Sequence, residues 1–387
     1  MLKKLLIIII GILVGFVFGL YIIFYTSILP LGNKNASKSL INPIAGQKKV
    51  IGFLPYWLLD KANTDYSKYI TTLTYFGVRV GPDGKIQKLL NPQEEEPGWY
   101  ALSSGKLDPF FNDALKNKIS LSLLASSGNN DSIEALVQNP IQNARNFVTD
   151  VNPLIQKYKF SDINLDIEYT SQASAAARLG FTQFVSQVRK ELNKSISLTV
   201  EITTTDVIKN HLIDPKAMGQ IANNVVLMAY DYHSPSSFVT GPVAPLNGAG
   251  IMSEYDVLSA VENALAIIPA QKLVLGIPLY GYEWETLLPY PRAAVIPNTG
   301  VTASSDRVES LLVTCASCSA TLDTYAQENY ISFYDQASND YHLIFFPDKN
   351  STLAKLNLAG SFELKGVALW ALGYEGKNIM EPLASFK

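Results

Sequence analysis

Phe160-Ser161-Asp162-Ile163-Asn164-Leu165-Asp166-Ile167-Glu168-Tyr169 alternates polar and apolar side chains. A period of two is that of a β-strand, so Asp162, Asn164, Asp166 and Glu168 share one face while Ile163, Leu165 and Ile167 share the other. Such a strand suits a closed (β/α)8 barrel, where helices cover the aliphatic face and the polar face turns inward. Glu168 then lies at the strand's C-terminal end, where these barrels carry their chemistry. On an amphipathic edge strand the same carboxylates would simply be solvated.

The rest of the chain supplies further strands at intervals that helices can fill. Val50–Leu54, Ile70–Val78 and Lys118–Leu124 read as the first three strands and Ile196–Ile202 as the fifth. Asn224–Tyr230 and Lys272–Leu279 read as the sixth and seventh, and Gly366–Trp370 closes the series. Pro140–Tyr158 reads as a helix despite Pro153, and Phe181, Phe184, Val185, Val188 and Leu192 recur at helical spacing. Strands alternating with helices predict a parallel barrel. The segment Gly81–Trp99 reads as a long polar loop, with Pro97-Gly98-Trp99-Tyr100 as a turn.

Between strands seven and eight the spacing breaks down, and residues 284–362 are expected to form a small α+β insertion. Within it, Tyr330–Tyr334 and Tyr341–Phe346 read as a hairpin, and Ser351 as the cap of the last helix. Both cysteines lie there, Cys315 and Cys318, too few for a zinc site and suited to a disulfide across a turn or to two free thiols.

Four segments together carry a family resemblance. Asp166 and Glu168 match the last two acidic positions of D-G-x-D-x-D-x-E, the signature of glycoside hydrolase family 18, the chitinase family. Met228-Ala229-Tyr230-Asp231 resembles its M-x-Y-D segment, Lys272–Gly281 its K-x-x-L-G-I-P-x-Y-G strand, and Gly366–Trp370 its closing G-x-x-x-W strand. The resemblance covers roughly residues 49–380, in family order. Ser161, Asp162 and Asn164 depart from the signature, as does Asn129 from the usual S-x-G-G after the third strand. Asn164 resembles the G-x-N-x-D-x-E form of the spore-cortex, peptidoglycan N-acetylglucosaminidase branch. Nothing in the sequence accounts for Asp162.

The resemblance implies a retaining, substrate-assisted hydrolase of β-1,4-linked N-acetylglucosamine glycans, peptidoglycan or chitin, needing no cofactor. It implies Glu168 as general acid, raised in pKa by burial and by Asp166, with Asp166 orienting the acetamide. Tyr230 would bind the acetamide oxygen, Asp231 would tune the network, and the amide of Asn164 can donate to Asp166. Trp370 would floor the sugar site, with Phe53, Tyr56, Trp57, Tyr282 and Trp284 as further sugar contacts. The alternative is a catalytically inactive, sugar-binding relative on the same fold.

Composition narrows the partners. The chain has 387 residues, 48% hydrophobic, with a net charge of −3, which lacks the basic surplus of a nucleic-acid binder. Three scattered histidines, His211, His233 and His342, give no metal site and read as ordinary surface or loop residues, with His233 the one placed where it could line the pocket. Lys3 and Lys4 precede an uncharged apolar run, Leu5–Leu29, long enough to span a bilayer. Residues 1–30 are therefore expected as a signal anchor, with a cleaved signal peptide as the alternative, and 31–48 as a tether of about 25 Å reach, placing a barrel at 49–387 outside the cytoplasm. Gly11, Gly15 and Gly19 form a small-xxx-small pattern that can pair membrane helices.

Overall fold

The structure is a computed structural model and describes residues 48–387 except 210, 252 and 317. The expected anchor, its glycine pattern and residues 31–47 of the tether lie outside the described residues. Among those described, no helix is long and apolar enough to cross a membrane.

Eight parallel strands close into a barrel: β1 (Lys49–Pro55), β2 (Thr72–Val80), β3 (Ser120–Ser127), β4 (Asp162–Ile167), β5 (Ser197–Thr203), β6 (Asn224–Met228), β7 (Leu273–Pro278) and β8 (Gly366–Trp370). Each pairs with the next, and β8 returns to β1 through Lys49 opposite Gly366 and Gly52 opposite Leu369. The alternation in each strand sorts residues between two cores. Ile163, Leu165 and Ile167 of β4, with Leu198, Val200 and Ile202 of β5, pack outward against the helices, where Phe147, Phe181 and Phe184 are fully buried. Burying each such side chain contributes about 1.5–3 kcal/mol. Ile51, Phe53, Leu124, Val226, Val274 and Ala368 point inward and fill the barrel.

Asp162, unexplained by sequence, belongs to the inner floor. Ser122 Oγ donates to its Oδ2 at 2.6 Å and Thr199 Oγ1 to its Oδ1 at 2.8 Å, while Asn224 Nδ2 donates to Thr199 Oγ1 at 2.9 Å. Four strands are thus tied below the site by one polar chain that satisfies both buried carboxyl oxygens.

Two local expectations change. Pro97–Ser103 is a helix and not a turn: Pro97 occupies its first turn, where no N–H is needed, and Glu96 accepts from Trp99 N at 2.7 Å. The last helix, Lys349–Ser361, is capped by Asp348, and Ser351 is the reciprocal third position of the capping box.

The insertion begins earlier than expected. Tyr280–Thr286 leaves the barrel directly after β7 and joins a five-stranded antiparallel sheet in the order Val301–Ser304, Tyr280–Thr286, Asp340–Phe346, Glu328–Asp335, Thr321–Asp323. The expected hairpin is present, Tyr334 opposite Tyr341. The insertion sheet ends at Phe346, because the helix Lys349–Ser361 packs on β7 and β8 and so belongs to the barrel. Cys315 and Cys318 are disulfide-bonded after the helix Ser305–Thr314. A buried ion pair joins insertion to barrel: Lys355 Nζ lies 3.1 Å from Glu328 Oε1, and Glu328 also accepts from Val243 N and Ala244 N.

Candidate active site

The inward face of β4 rises from Asp162 through Asn164 to Asp166, all buried, and Glu168 follows at the open C-terminal end. Glu168 N donates to Ser127 O at 2.9 Å, which holds the residue against β3 just past the paired strand. Two cavities of about 280 and 300 Å³ adjoin there, and Glu168 lines both. Glu201, Asp206 and His211 line the first; Tyr230, Asp231 and Tyr232 line the second.

Glu168 and Asp231 both reach solvent in this cleft, yet protein encloses their carboxyls on the remaining sides. Burial raises the pKa of Glu168, and the charges of Asp231 and Asp206 raise it further. Those two charges come from the segments after β6 and β5, and the expected contributor, Asp166, acts with them, since its carboxyl and that of Glu168 repel each other. Asp166 is itself pushed well above the usual carboxylate range, by burial and then by Glu168.

Asp231 adopts a left-handed backbone, φ 60°, which a short polar residue tolerates. Its Oδ1 accepts from the hydroxyls of Tyr280 at 2.5 Å and Tyr282 at 2.7 Å. Burial raises its pKa, and these two donors oppose that rise. Tyr230, half-buried, stands where a Cβ on Gly276 would come within 2.8 Å of its ring, so the glycine of β7 makes its place. Burial, then the neighbouring carboxyl groups of Glu201 and Asp231, hold the Tyr230 hydroxyl in its protonated, donating form.

Asn164 does not act as expected. Its Nδ2 donates to Glu201 Oε1 at 2.6 Å, not to Asp166. Asp166 Oδ1, Asn164 Oδ1 and Glu201 Oε2 find no hydrogen-bond partner in the protein. Glu201, only 2% exposed, was missed by the sequence reading, although its alternation with Val200 and Ile202 marks it as inward-facing. Asn129 caps the helix Asn130–Gln138 through Ser132 N at 2.9 Å, which accounts for that departure.

The aromatic candidates divide. Trp370 is half-buried at the barrel mouth, with the rings of Phe53, Trp57 and Phe76 within 5.1–6.2 Å, and Trp57 is 46% exposed with Tyr56 at its edge. These keep part of their surface exposed. Phe53 is 2% exposed and packs under Trp370; Tyr282 is spent on Asp231; Trp284 is wholly buried and donates to Ser234 O. Trp284 lies on the insertion sheet and packs with Val243, Tyr282, Leu343 and Phe345, so it has no face for a sugar. His233, the histidine expected at the pocket, is buried with Nδ1 against Pro242 O and lines neither cavity, whereas the loop residue His211 lines the first, paired with Asp206 at 3.2 Å.

The sequence pattern that defines glycosyl hydrolases family 18 matches residues 49–375, from β1 to just beyond Trp370. The chain belongs to glycoside hydrolase family 18. It is 25% identical over 356 residues to YdhD of Bacillus subtilis (strain 168), provisionally described as a sporulation-specific glycosylase, covering 89% of this chain and 76% of that protein. It is 29% identical to the cortical fragment-lytic enzyme of the same organism, over 59% of this chain and half of the relative. Among solved structures, the spore cortex-lytic enzyme SleL of Bacillus megaterium QM B1551 superposes with a TM-score of 0.67 at 21% identity, over 89% of this chain and 74% of that one. The group IV chitinase of Ostrinia furnacalis in complex with allosamidin gives 0.75 at 20%, over 88% and 97%. These two superpositions confirm the barrel fold.

Proposed function

We propose that this family 18 hydrolase cleaves β-1,4-linked N-acetylglucosamine glycans with retention, using the substrate's own acetamide as nucleophile. The observation that carries the reading is the placement of Glu168. It is a carboxyl raised in pKa and open to the cleft, directly above the buried Asp166. A proton held on Glu168 passes to the glycosidic oxygen as the bond from the anomeric carbon breaks. The acetamide carbonyl oxygen closes on that carbon to give an oxazolinium ion. Asp166 accepts the acetamide N–H and faces the positive charge that develops. Tyr230 donates its hydroxyl toward the acetamide oxygen. Water, giving its proton to Glu168, then opens the ring from the side the leaving group vacated, so two inversions retain the β-configuration. Trp370 and Trp57 offer aromatic faces for sugar rings.

The preferred substrate is the glycan of a bacterial cell wall. Asn164, the cortex-lytic and sporulation-specific names among the relatives, and an apolar N-terminal run suited to anchoring the barrel outside the membrane all support it. Chitinases occur among the relatives too, so purified peptidoglycan and chitohexaose should be digested in parallel. Release of reducing-end N-acetylglucosamine muropeptides is expected. Rapid cleavage of chitohexaose with no muropeptides would overturn the preference.

A further inference from the structure

Glu201 lies outside every segment that carries the family resemblance, yet it sits at the centre of the site's buried polar cluster. It points into the barrel from β5 opposite Val226, with Oε1 held by Asn164 Nδ2 at 2.6 Å. Around it are three buried oxygens with no partner in the protein: its own Oε2, Asn164 Oδ1 and Asp166 Oδ1. All three are acceptors while both carboxyls are ionised, and nothing nearby donates to them. The charges that face Glu201 are those of Asp162 and Asp166 on β4 and of Glu168 just past its end. Tyr230 faces it from beyond β6, and Asp206 and His211 share its cavity. Among the described residues neither Glu201 nor Asp166 has a Lys or Arg partner, while Asp162 already has its donors in Ser122 and Thr199.

Two neighbouring carboxylates buried without a cation are strongly disfavoured, and a proton is the remedy that needs no further residue. Asn164 decides where it goes. Because its amide donates to Oε1, that oxygen is the acceptor, and the proton belongs on Oε2. One O–H there converts the cluster from three orphan acceptors into a donor with acceptors to serve.

We propose that Glu201 is a positioning residue, held as the neutral acid by Asn164, whose Oε2–H is the donor that leaves Asp166 free to carry the negative charge facing the substrate. A neutral donor favours the ionised form of Asp166, whereas an ionised Glu201 would oppose it. Burial and the charge of Asp166 do raise the Glu201 pKa well above the usual carboxylate range, in keeping with this arrangement. Asn164 is then the fixed strut that assigns the proton to its neighbour. The catalytic part of this inference rests on the function proposed above; the protonation state does not.

Difference infrared spectroscopy of the full chain, parent minus Glu201→Gln at neutral pH, reads the proton directly. Loss of a protonated-carboxyl C=O band is expected, and loss of a carboxylate band instead would overturn the proposal even in a protein that hydrolysed nothing. Glycan turnover by Glu201→Leu and Glu201→Gln reads the role. Removing a hydrogen bond to a charged group should lower kcat about 10- to 100-fold in Glu201→Leu with KM little changed. Gln, which keeps both an acceptor and a donor, should restore most of it. Full activity in the Leu variant, or a Gln variant as slow as Leu in a folded protein, would reject the role.

Discussion

Tyr282 and Asp231 are joined by a 2.7 Å hydrogen bond, from the first strand of the insertion to the residue that closes the M-x-Y-D segment after β6. Tyr280 donates to the same oxygen from the same strand. The insertion sheet therefore reaches the chemistry through Asp231, whose charge in turn bears on Glu168.

The sign of that influence can be tested. Glu168 must be protonated to act as an acid, so activity falls as pH rises through its pKa. Asp231→Asn removes a negative charge that disfavours ionisation of Glu168, lowering that pKa. The basic limb of the kcat/KM profile is expected to move to lower pH; an unmoved or raised limb would dissociate the two residues.

Glu168→Gln keeps the shape of the carboxyl and loses the proton. Hydrolysis is expected to drop by on the order of 10²–10⁴-fold. Glycan affinity, measured by calorimetry, should change little. Turnover near that of the parent would remove Glu168 from the mechanism.

If the acetamide is the nucleophile, cello-oligosaccharides and fully deacetylated chitosan should resist cleavage. Freshly released reducing ends should be mainly β by NMR. A predominance of the α-anomer would exclude the two-step course.

Two tryptophans separate binding from stability. Trp57→Ala, at an exposed ring beside Trp370, is expected to weaken glycan binding and leave the melting temperature nearly unchanged. Trp284→Ala empties a fully buried site and should cost about 3–5 kcal/mol in denaturant unfolding. The reverse pattern would mean that their placement is misjudged.

Lys355 and Glu328 are both buried and pair across the joint between barrel and insertion. Lys355→Met strands the Glu328 charge, and a loss of about 3–5 kcal/mol is expected. Adding Glu328→Gln to that variant should recover part of the loss, because no buried charge then remains. A single variant as stable as the parent would show the pair to be dispensable.

The barrel was legible in local pattern. Ile163, Leu165 and Ile167 alternate with Asp162, Asn164 and Asp166, and only a strand sends those two sets to opposite sides. The same periodicity placed Glu168 and Tyr230 at strand ends. Pro278 was harder to read, because the chain stays extended beyond it and passes from barrel to insertion sheet with no break in its apolar character.

What the tertiary structure alone decided is the company each polar group keeps. Asn164 and Glu201 are 37 positions apart, and barrel closure brings their strands side by side, so a donor expected for Asp166 is given to Glu201. Trp284 and Phe53 carry the aromatic character of sugar-binding residues, but packing within the insertion buries one and Trp370 covers the other. Hydrophobic periodicity is a property of neighbouring residues and survives in the sequence. Burial, hydrogen-bond choice and pKa depend on segments far apart in the chain, and they exist only once the barrel has closed.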